Sequence, residues 1–318
     1  MVRRTNSALL TSSDGTPTRP VMPDNPDPQA EIPALASLAE VAERFDVILC
    51  DVWGVLHNGV VAFAPAAEAL TRFRAGGGVV VLISNAPRPD HAVLRMLDKL
   101  AVPRTAFDAI VTSGDLSRAA IADRPGQTVY HLGPQRDQSL FEGLDVRFGD
   151  VEAADYVVCS GFFDDDRETV EDHRAALDRM RARDLLMICA NPDLVVERGD
   201  RLIPCAGAIA EAYEAIGGRV VQTGKPHRPI YEAALEQAAR LRGGMRAPHA
   251  RVLAIGDAIR TDVAGAHALG VPALFVTRGI HAADLAAPDG TTDDARVRAW
   301  LARQAVQPQA FTDRLAWR

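Results

Sequence analysis

The chain has 318 residues, 47% of them hydrophobic, with 35 Lys and Arg against 42 Asp and Glu and a formal net charge of −7. That is enough apolar material for a sizeable core and about two domains, which excludes wholesale disorder. The acidic balance, with no dense Lys/Arg stripe, argues against a nucleic-acid or anionic-membrane surface. Apolar runs such as 79–83 fall far short of the roughly 20 residues that a membrane-spanning helix needs.

In chain order, residues 1–36 are dense in Pro, Ser, Thr, Asp and Asn and read as a disordered tail. Arg3 and Arg4 are followed only by Ala8, Leu9 and Leu10 as an apolar stretch, too short for the hydrophobic part of a secretory signal. A cytoplasmic location is therefore expected, and Cys50, Cys159, Cys189 and Cys205, which lack CxxC spacing, read as buried reduced thiols. From Phe45 onward, strand candidates at 46–50, 79–83, 109–111, 156–159, 185–189, 219–222, 252–255 and 272–276 alternate with amphipathic segments. Their continuous hydrophobicity marks strands buried on both faces, as in a parallel sheet. Leu70 and Phe73 after Pro65, and Val93, Leu94, Leu97 and Leu100 after Pro89, recur at helical spacing. Strand then helix, repeated, predicts a doubly wound α/β fold, in which ligands sit outside the carboxyl ends of the strands.

The residues at those ends form a chemically coherent set. Asp51 follows the first strand and Ser84 with Asn85 the second; Lys225 precedes the helix at Pro229; Asp257 and Asp262 follow the strand at 252–255. Carboxylates from different strands can share a Mg²⁺, which prefers hard oxygen ligands. A hydroxyl with adjacent backbone N–H groups can hold a phosphoryl oxygen, and a lysine can neutralise charge in phosphoryl transfer. A carboxylate can attack phosphorus. In an acidic protein, the metal is also the local help that an anionic substrate requires.

This arrangement resembles the haloacid dehalogenase superfamily of phosphohydrolases, in particular its subclass IIA with a large α/β cap. The strings DVWGVLHNG (51–59) and SNAPRP (84–89) are similar to an uncharacterised branch of that subclass. The resemblance implies a discontinuous Rossmann-like core, 37–112 with 222–318, and an inserted α/β cap, 113–221, that sets substrate choice. It further implies Asp51 as nucleophile and Mg²⁺ ligand, with the backbone carbonyl of Trp53, Asp257 and Asp262 completing the metal set. Ser84 and Asn85 would bind the phosphoryl group, and Lys225 would balance its charge. Asn191 and Asp193 look like the subclass's cap segment, and Arg88 and His227 flank motifs closely enough to reach substrate. The implied activity is hydrolysis of a small phosphorylated metabolite, a sugar phosphate, nucleotide or similar.

One position departs from the pattern. Phosphatases of this superfamily carry a second Asp two residues after the nucleophile, where this chain has Trp53. General acid–base help of that kind contributes about 10²–10⁴-fold, and an indole cannot supply it. Three readings stay open: a substrate whose leaving group needs little protonation, an acid supplied by His57, or a protein that binds a phosphometabolite with little turnover. The proposed cap contains no lysine, which speaks against phosphonate cleavage by a cap lysine, and the retained Asp257 and Asp262 speak against halide chemistry. Asp164, Asp165 and Asp166 read as a solvated turn or helix start. Residues 166–183 read as a charge-laced segment over the cap sheet. Residues 295–305, with Val297, Trp300 and Leu301 on one side, read as a helix on the core, with a homodimer contact as the alternative.

Overall fold

Runs of aliphatic and β-branched residues, most of them buried along their whole length, form two parallel sheets in the computed structural model, which describes residues 22, 31–199, 201–287 and 293–318. The chain runs through β1 (Val47–Asp51), α1 (Ala64–Ala75), β2 (Val79–Ser84), α2 (Asp90–Lys99), β3 (Ala109–Thr112) and α3 (Ser113–Ala122). It then passes through β4 (Thr128–Leu132), β5 (Arg147–Phe148), β6 (Tyr156–Cys159), α4 (Arg174–Ala182), β7 (Leu186–Cys189), β8 (Val195–Arg198), β9 (Arg201–Pro204), α5 (Ala206–Ala215) and β10 (Arg219–Gln222). It returns through α6 (Arg228–Leu241), β11 (Val252–Gly256), α7 (Ala264–Leu269), β12 (Ala273–Val276), α8 (Ala282–Leu285), α9 (Asp294–Leu301) and β13 (Ala310–Thr312).

The first sheet has the order β13-β12-β11-β1-β2-β3 and is parallel throughout. Successive residues of a strand face opposite sides, so Ile48 and Cys50 of β1 join Leu70 and Phe73 of α1 and Leu97 of α2 in one core. Val47 and Leu49 face the other way, onto Ile230 of α6 and Ala266 of α7. Burial of each such large side chain is worth about 1.5–3 kcal/mol. The second sheet, β10-β7-β6-β4-β5, is also parallel. Leu177 and Met180 of α4, the apolar positions of the charge-laced segment, pack with Ile209 and Tyr213 of α5 in its core. Strands β8 and β9 form a separate antiparallel hairpin.

All eight expected strands are present, and the fold is the expected mixed α/β one. Strands β4, β5, β8, β9 and β13, all short, have no counterpart among the expected strands. The composition of 1–36 suggests a tail throughout, yet Ala34 bridges Phe311 in parallel and Leu35 N–H donates to the Phe311 carbonyl at 2.8 Å. Polar composition thus continues past the point where the backbone begins to pair with the exposed edge of β13. Residues 1–21 and 23–30 of that expected tail lie outside the described residues. On α9, Val297 and Leu301 are fully buried against the core, and the Trp300 ring stacks on Phe275 at 6.0 Å, so this face is spent on the fold. The four cysteines are free and buried. Among the described residues no helix is long and apolar enough to cross a membrane.

Candidate active site

From β1 the chain moves to one side of the first sheet, through β2 and β3, and from β11 to the other, through β12 and β13. The boundary between β1 and β11 is therefore a topological switch point, where doubly wound sheets bind ligands. Cys50 lies opposite Ile255 in the register, so Asp51 at the end of β1 and Asp257 just beyond β11 emerge side by side. Asp262 sits on a wide π-helical turn, Ile259–Val263, which folds back over the strand end, and its Oδ2 accepts from Ala258 N–H at 3.1 Å. Oxygens of Asp51, Asp257 and Asp262 all lie within 4.8 Å of one another, and all three residues are buried. Gly54 is required beside them. Its φ is +78°, and a Cβ there would lie 1.9 Å from Asp257 Oδ2.

Lys225 Nζ lies 2.6 Å from Asp51 Oδ1 and 2.6 Å from Asp262 Oδ1. The side chain of Asn85 fixes this lysine: its Oδ1 accepts from Lys225 N–H at 2.7 Å, and its Nδ2 donates to the Lys225 carbonyl at 3.2 Å and to Asp193 Oδ1 at 2.8 Å. Ser84 ends β2 next to Ile83, the register partner of Asp51. Its Oγ accepts from Ala86 N–H at 3.2 Å, which leaves the hydroxyl proton available for another acceptor.

Electrostatically the cluster is short of positive charge. Burial, and then the neighbouring Asp262 carboxylate, pushes Asp51 well above the ordinary carboxylate range. The same two causes raise Asp257 to about 7. Burial opposes the Lys225 ammonium, but Asp262 and Asp51 outweigh it and hold its pKa well above the lysine range. Three carboxylates around one ammonium would, when all are ionised, carry an excess of two negative charges in a dry site, and the all-oxygen donor set suits a hard divalent cation that would offset it. Asp51, Asp257 and Asp262 are the side chains that would hold it.

A cavity of about 350 Å³ opens beside the cluster, and Asp51, Ser84, Arg136, Phe162, Asp165 and Arg198 are among the residues that line it. Of the sequence-derived candidates, Trp53, Asn85, Arg88, Asn191 and Asp193 also line it. Asn191 Oδ1 accepts from Asp193 N–H at 3.0 Å, and burial raises Asp193 to about 6. His227 is exposed at the start of α6, away from the cavity. His57 is fully buried behind Trp53, with the two rings edge-on at 4.8 Å. Its Nδ1 accepts from Gly59 N–H at 2.9 Å, and burial lowers its pKa to about 4. The Trp53 indole N–H donates to the carbonyl of Glu197 in β8, which ties the β8–β9 hairpin to the Asp51 loop.

Two supports of the site leave little trace in the sequence. Asp165, expected in a solvated turn, is 8% exposed and paired with Arg136 at 2.7 Å and Arg198 at 2.6 Å; partners 29 and 33 residues away leave no local signal. Tyr231 of α6 is buried, and its hydroxyl donates to the carbonyls of Thr261 at 3.1 Å and Asp262 at 3.3 Å. It thereby supports the wide turn that presents Asp262, in keeping with the occurrence of π-turns at functional sites.

A lysine-bridged carboxylate cluster at the switch point of a doubly wound sheet defines an α/β protein fitted to hold a divalent cation beside a carboxylate at a cavity mouth. Family models described as haloacid dehalogenase-like hydrolase and HAD-hydrolase-like match residues 48–147 and 222–315. A crystal structure of a haloacid dehalogenase-like family hydrolase from Brucella suis 1330 is 46% identical, with a TM-score of 0.78 over 88% of this chain and 99% of that one. Human chronophin is 26% identical over 77% of this chain and 85% of its own length. The ribonucleotide monophosphatase NagD of Escherichia coli K12 is 27% identical over 74% and 89%. The chain belongs to the haloacid dehalogenase-like hydrolases, in the subclass IIA of NagD and chronophin.

Proposed function

We propose that the chain is a Mg²⁺-dependent phosphohydrolase that acts on a small phosphorylated metabolite through an aspartyl-phosphate on Asp51. The observation that carries this reading is the placement of Asp51 at the cavity, 2.6 Å from Lys225 Nζ and within 4.8 Å of Asp257 and Asp262. The name of NagD, a ribonucleotide monophosphatase, supports monoester chemistry. Residues 113–221 act as the cap and 37–112 with 222–318 as the core, a division that accords with the separate second sheet.

In the first step an Asp51 carboxylate oxygen attacks phosphorus, the bond to the leaving oxygen breaks, and a mixed anhydride forms on Asp51. Ser84 O–H and the Asn85 backbone N–H bind the phosphoryl oxygens, and Lys225 offsets the charge of Asp51 and the phosphate. Asp51, Asp257, Asp262 and the Trp53 carbonyl would hold Mg²⁺, which would supply further neutralisation of the phosphoryl charge. Water then cleaves the anhydride and releases phosphate. No acid sits two residues after Asp51, and His57 lies behind Trp53. Loss of the acid is worth roughly 3–5 kcal/mol of barrier, which favours aryl or acyl phosphates whose leaving groups depart unprotonated. A cytoplasmic location accords with four buried free thiols. A reading as a binding protein without turnover has no specific observation in its favour.

The test is hydrolysis of p-nitrophenyl phosphate. Asp51→Asn and Mg²⁺ chelation each reduce it at least 10³-fold, and readdition of Mg²⁺ restores the wild type. Activity that survives either treatment overturns the proposal.

A further inference from the structure

We infer that Asp193 is a positioning residue of the reaction: from the end of the second sheet it fixes the Asn85 amide, which in turn holds Lys225 between Asp51 and Asp262. The role of Lys225 itself rests on the phosphohydrolase reading.

Strand register brings these groups together. Cys189, the last residue of β7, pairs with Gln222, the last residue of β10, so 190–193 and 223–225 leave the second sheet side by side. Thr223 Oγ1 ties the two exits by donating to the Cys189 carbonyl at 2.9 Å. The segments then meet Asn85 at close quarters. A Cβ on Gly224 would lie 2.3 Å from Asn85 Oδ1 and 2.7 Å from Pro192 Cδ, and one on Gly207 of α5 would lie 2.5 Å from the Asp193 carbonyl oxygen. Gly207 N–H donates to that carbonyl at 3.1 Å, and Asp193 N–H donates to Asn191 Oδ1 at 3.0 Å. Both backbone groups of Asp193 are therefore fixed, and its side chain is aimed from a rigid base.

The effect of the carboxylate follows from which groups donate and which accept. An asparagine amide can be turned over, exchanging its oxygen for its NH₂. As it stands, Asn85 Oδ1 accepts from Lys225 N–H at 2.7 Å, and Nδ2 donates to the Lys225 carbonyl at 3.2 Å and to Asp193 Oδ1 at 2.8 Å. Turned over, the NH₂ would face the Lys225 N–H, and the oxygen would face a carbonyl and a carboxylate. An ionised carboxylate only accepts, and a hydrogen bond to it is about twice as strong as a neutral one. Asp193 thus selects the orientation in which the amide grips both backbone groups of Lys225. Asn85 and Lys225 are each 3% exposed, so no water substitutes easily for a lost partner. At the far end of the same side chain, Lys225 Nζ lies 2.6 Å from both Asp51 and Asp262, and small displacements of catalytic groups are costly.

The test compares Asp193→Ala and Asp193→Asn with the wild type at about pH 8, above the value of about 6 to which burial raises Asp193. In a crystal structure of Asp193→Ala, the Asn85 side chain leaves the Lys225 N–H and Nζ parts from Asp51 or Asp262; an unchanged arrangement overturns the inference. In calorimetry with inorganic phosphate and Mg²⁺, Asp193→Ala weakens binding about tenfold, the scale of one hydrogen bond to a charged group, while Asp193→Asn, whose oxygen still accepts from Asn85, stays within about threefold of the wild type. In a Lys225→Met background, Asp193→Ala costs nothing further, because the two residues act as one unit. An equal cost in both backgrounds, or an asparagine no better than alanine, overturns the inference. Asp193→Leu replaces Asp193→Ala if the latter does not fold. A wild-type protein that binds no phosphate counts against the phosphohydrolase reading alone, and the crystal structure then decides the role of Asp193.

Discussion

The indole N–H of Trp53 donates to the backbone carbonyl of Glu197, joining the loop that follows Asp51 to the hairpin that carries Arg198. The position where the family resemblance implies an acid is thus used here to tie together two segments that both line the cavity. Gly59 admits the ring, since a Cβ there would lie 2.6 Å from it.

Trp53→Phe keeps an aromatic ring, smaller than the indole, and removes the donor. One lost hydrogen bond costs about 1 kcal/mol, so amide exchange across 195–204 accelerates and KM rises roughly fivefold, with kcat less affected. Unchanged exchange in the hairpin shows that the contact does not hold it.

Trp53→Asp places a carboxyl group where a leaving alcohol needs a proton. The ratio of alkyl to aryl phosphate turnover rises at least tenfold, within the range expected for general acid catalysis. A ratio that stays at the wild-type value means that leaving-group protonation does not limit this protein.

Tyr231→Phe leaves the packing of α6 and deletes the hydroxyl that holds the carbonyls of Thr261 and Asp262. Supports of this kind are worth 10–100-fold in metal affinity, so a Mg²⁺ titration of activity or of thermal stability shifts to about tenfold higher concentration. An unshifted titration assigns the hydroxyl to packing alone.

Much of this site is legible in the sequence because it is local. Asp51, Ser84 and Asp257 each follow a buried apolar run directly, and parallel register alone brings such residues to one edge. The Asp165 group that lines the same cavity is illegible for the complementary reason. Asp165 meets Arg136 and Arg198 only through the folding of a second sheet and a hairpin, and in the sequence it stands within a run of three aspartates indistinguishable from a solvated turn. His57 shows a third case: a histidine near a catalytic loop reads as an acid, while its burial behind Trp53 depends on the turn closed by Gly54 N–H and the His57 carbonyl at 2.8 Å.

That burial has a consequence for acid stability. His57 has a folded pKa of about 4 against about 6.5 when unfolded, so the unfolded chain binds the proton first. The contribution is fully present above pH 6.5 and is lost as pH falls toward 4, by about 2 kcal/mol at pH 5. Urea denaturation at pH 7 and pH 5 shows a smaller loss in His57→Asn than in the wild type. An equal loss places the titration elsewhere.

The most direct test of the central claim is to trap the phosphorylated intermediate. During turnover of p-nitrophenyl phosphate with Mg²⁺, borohydride reduction followed by peptide mass spectrometry identifies any acyl phosphate by its conversion of aspartate to homoserine. With no acid–base residue two positions after Asp51 to speed hydrolysis, the proposed anhydride accumulates, and homoserine appears at position 51 alone. Turnover with no modification at Asp51, or with modification at a different aspartate, contradicts the account.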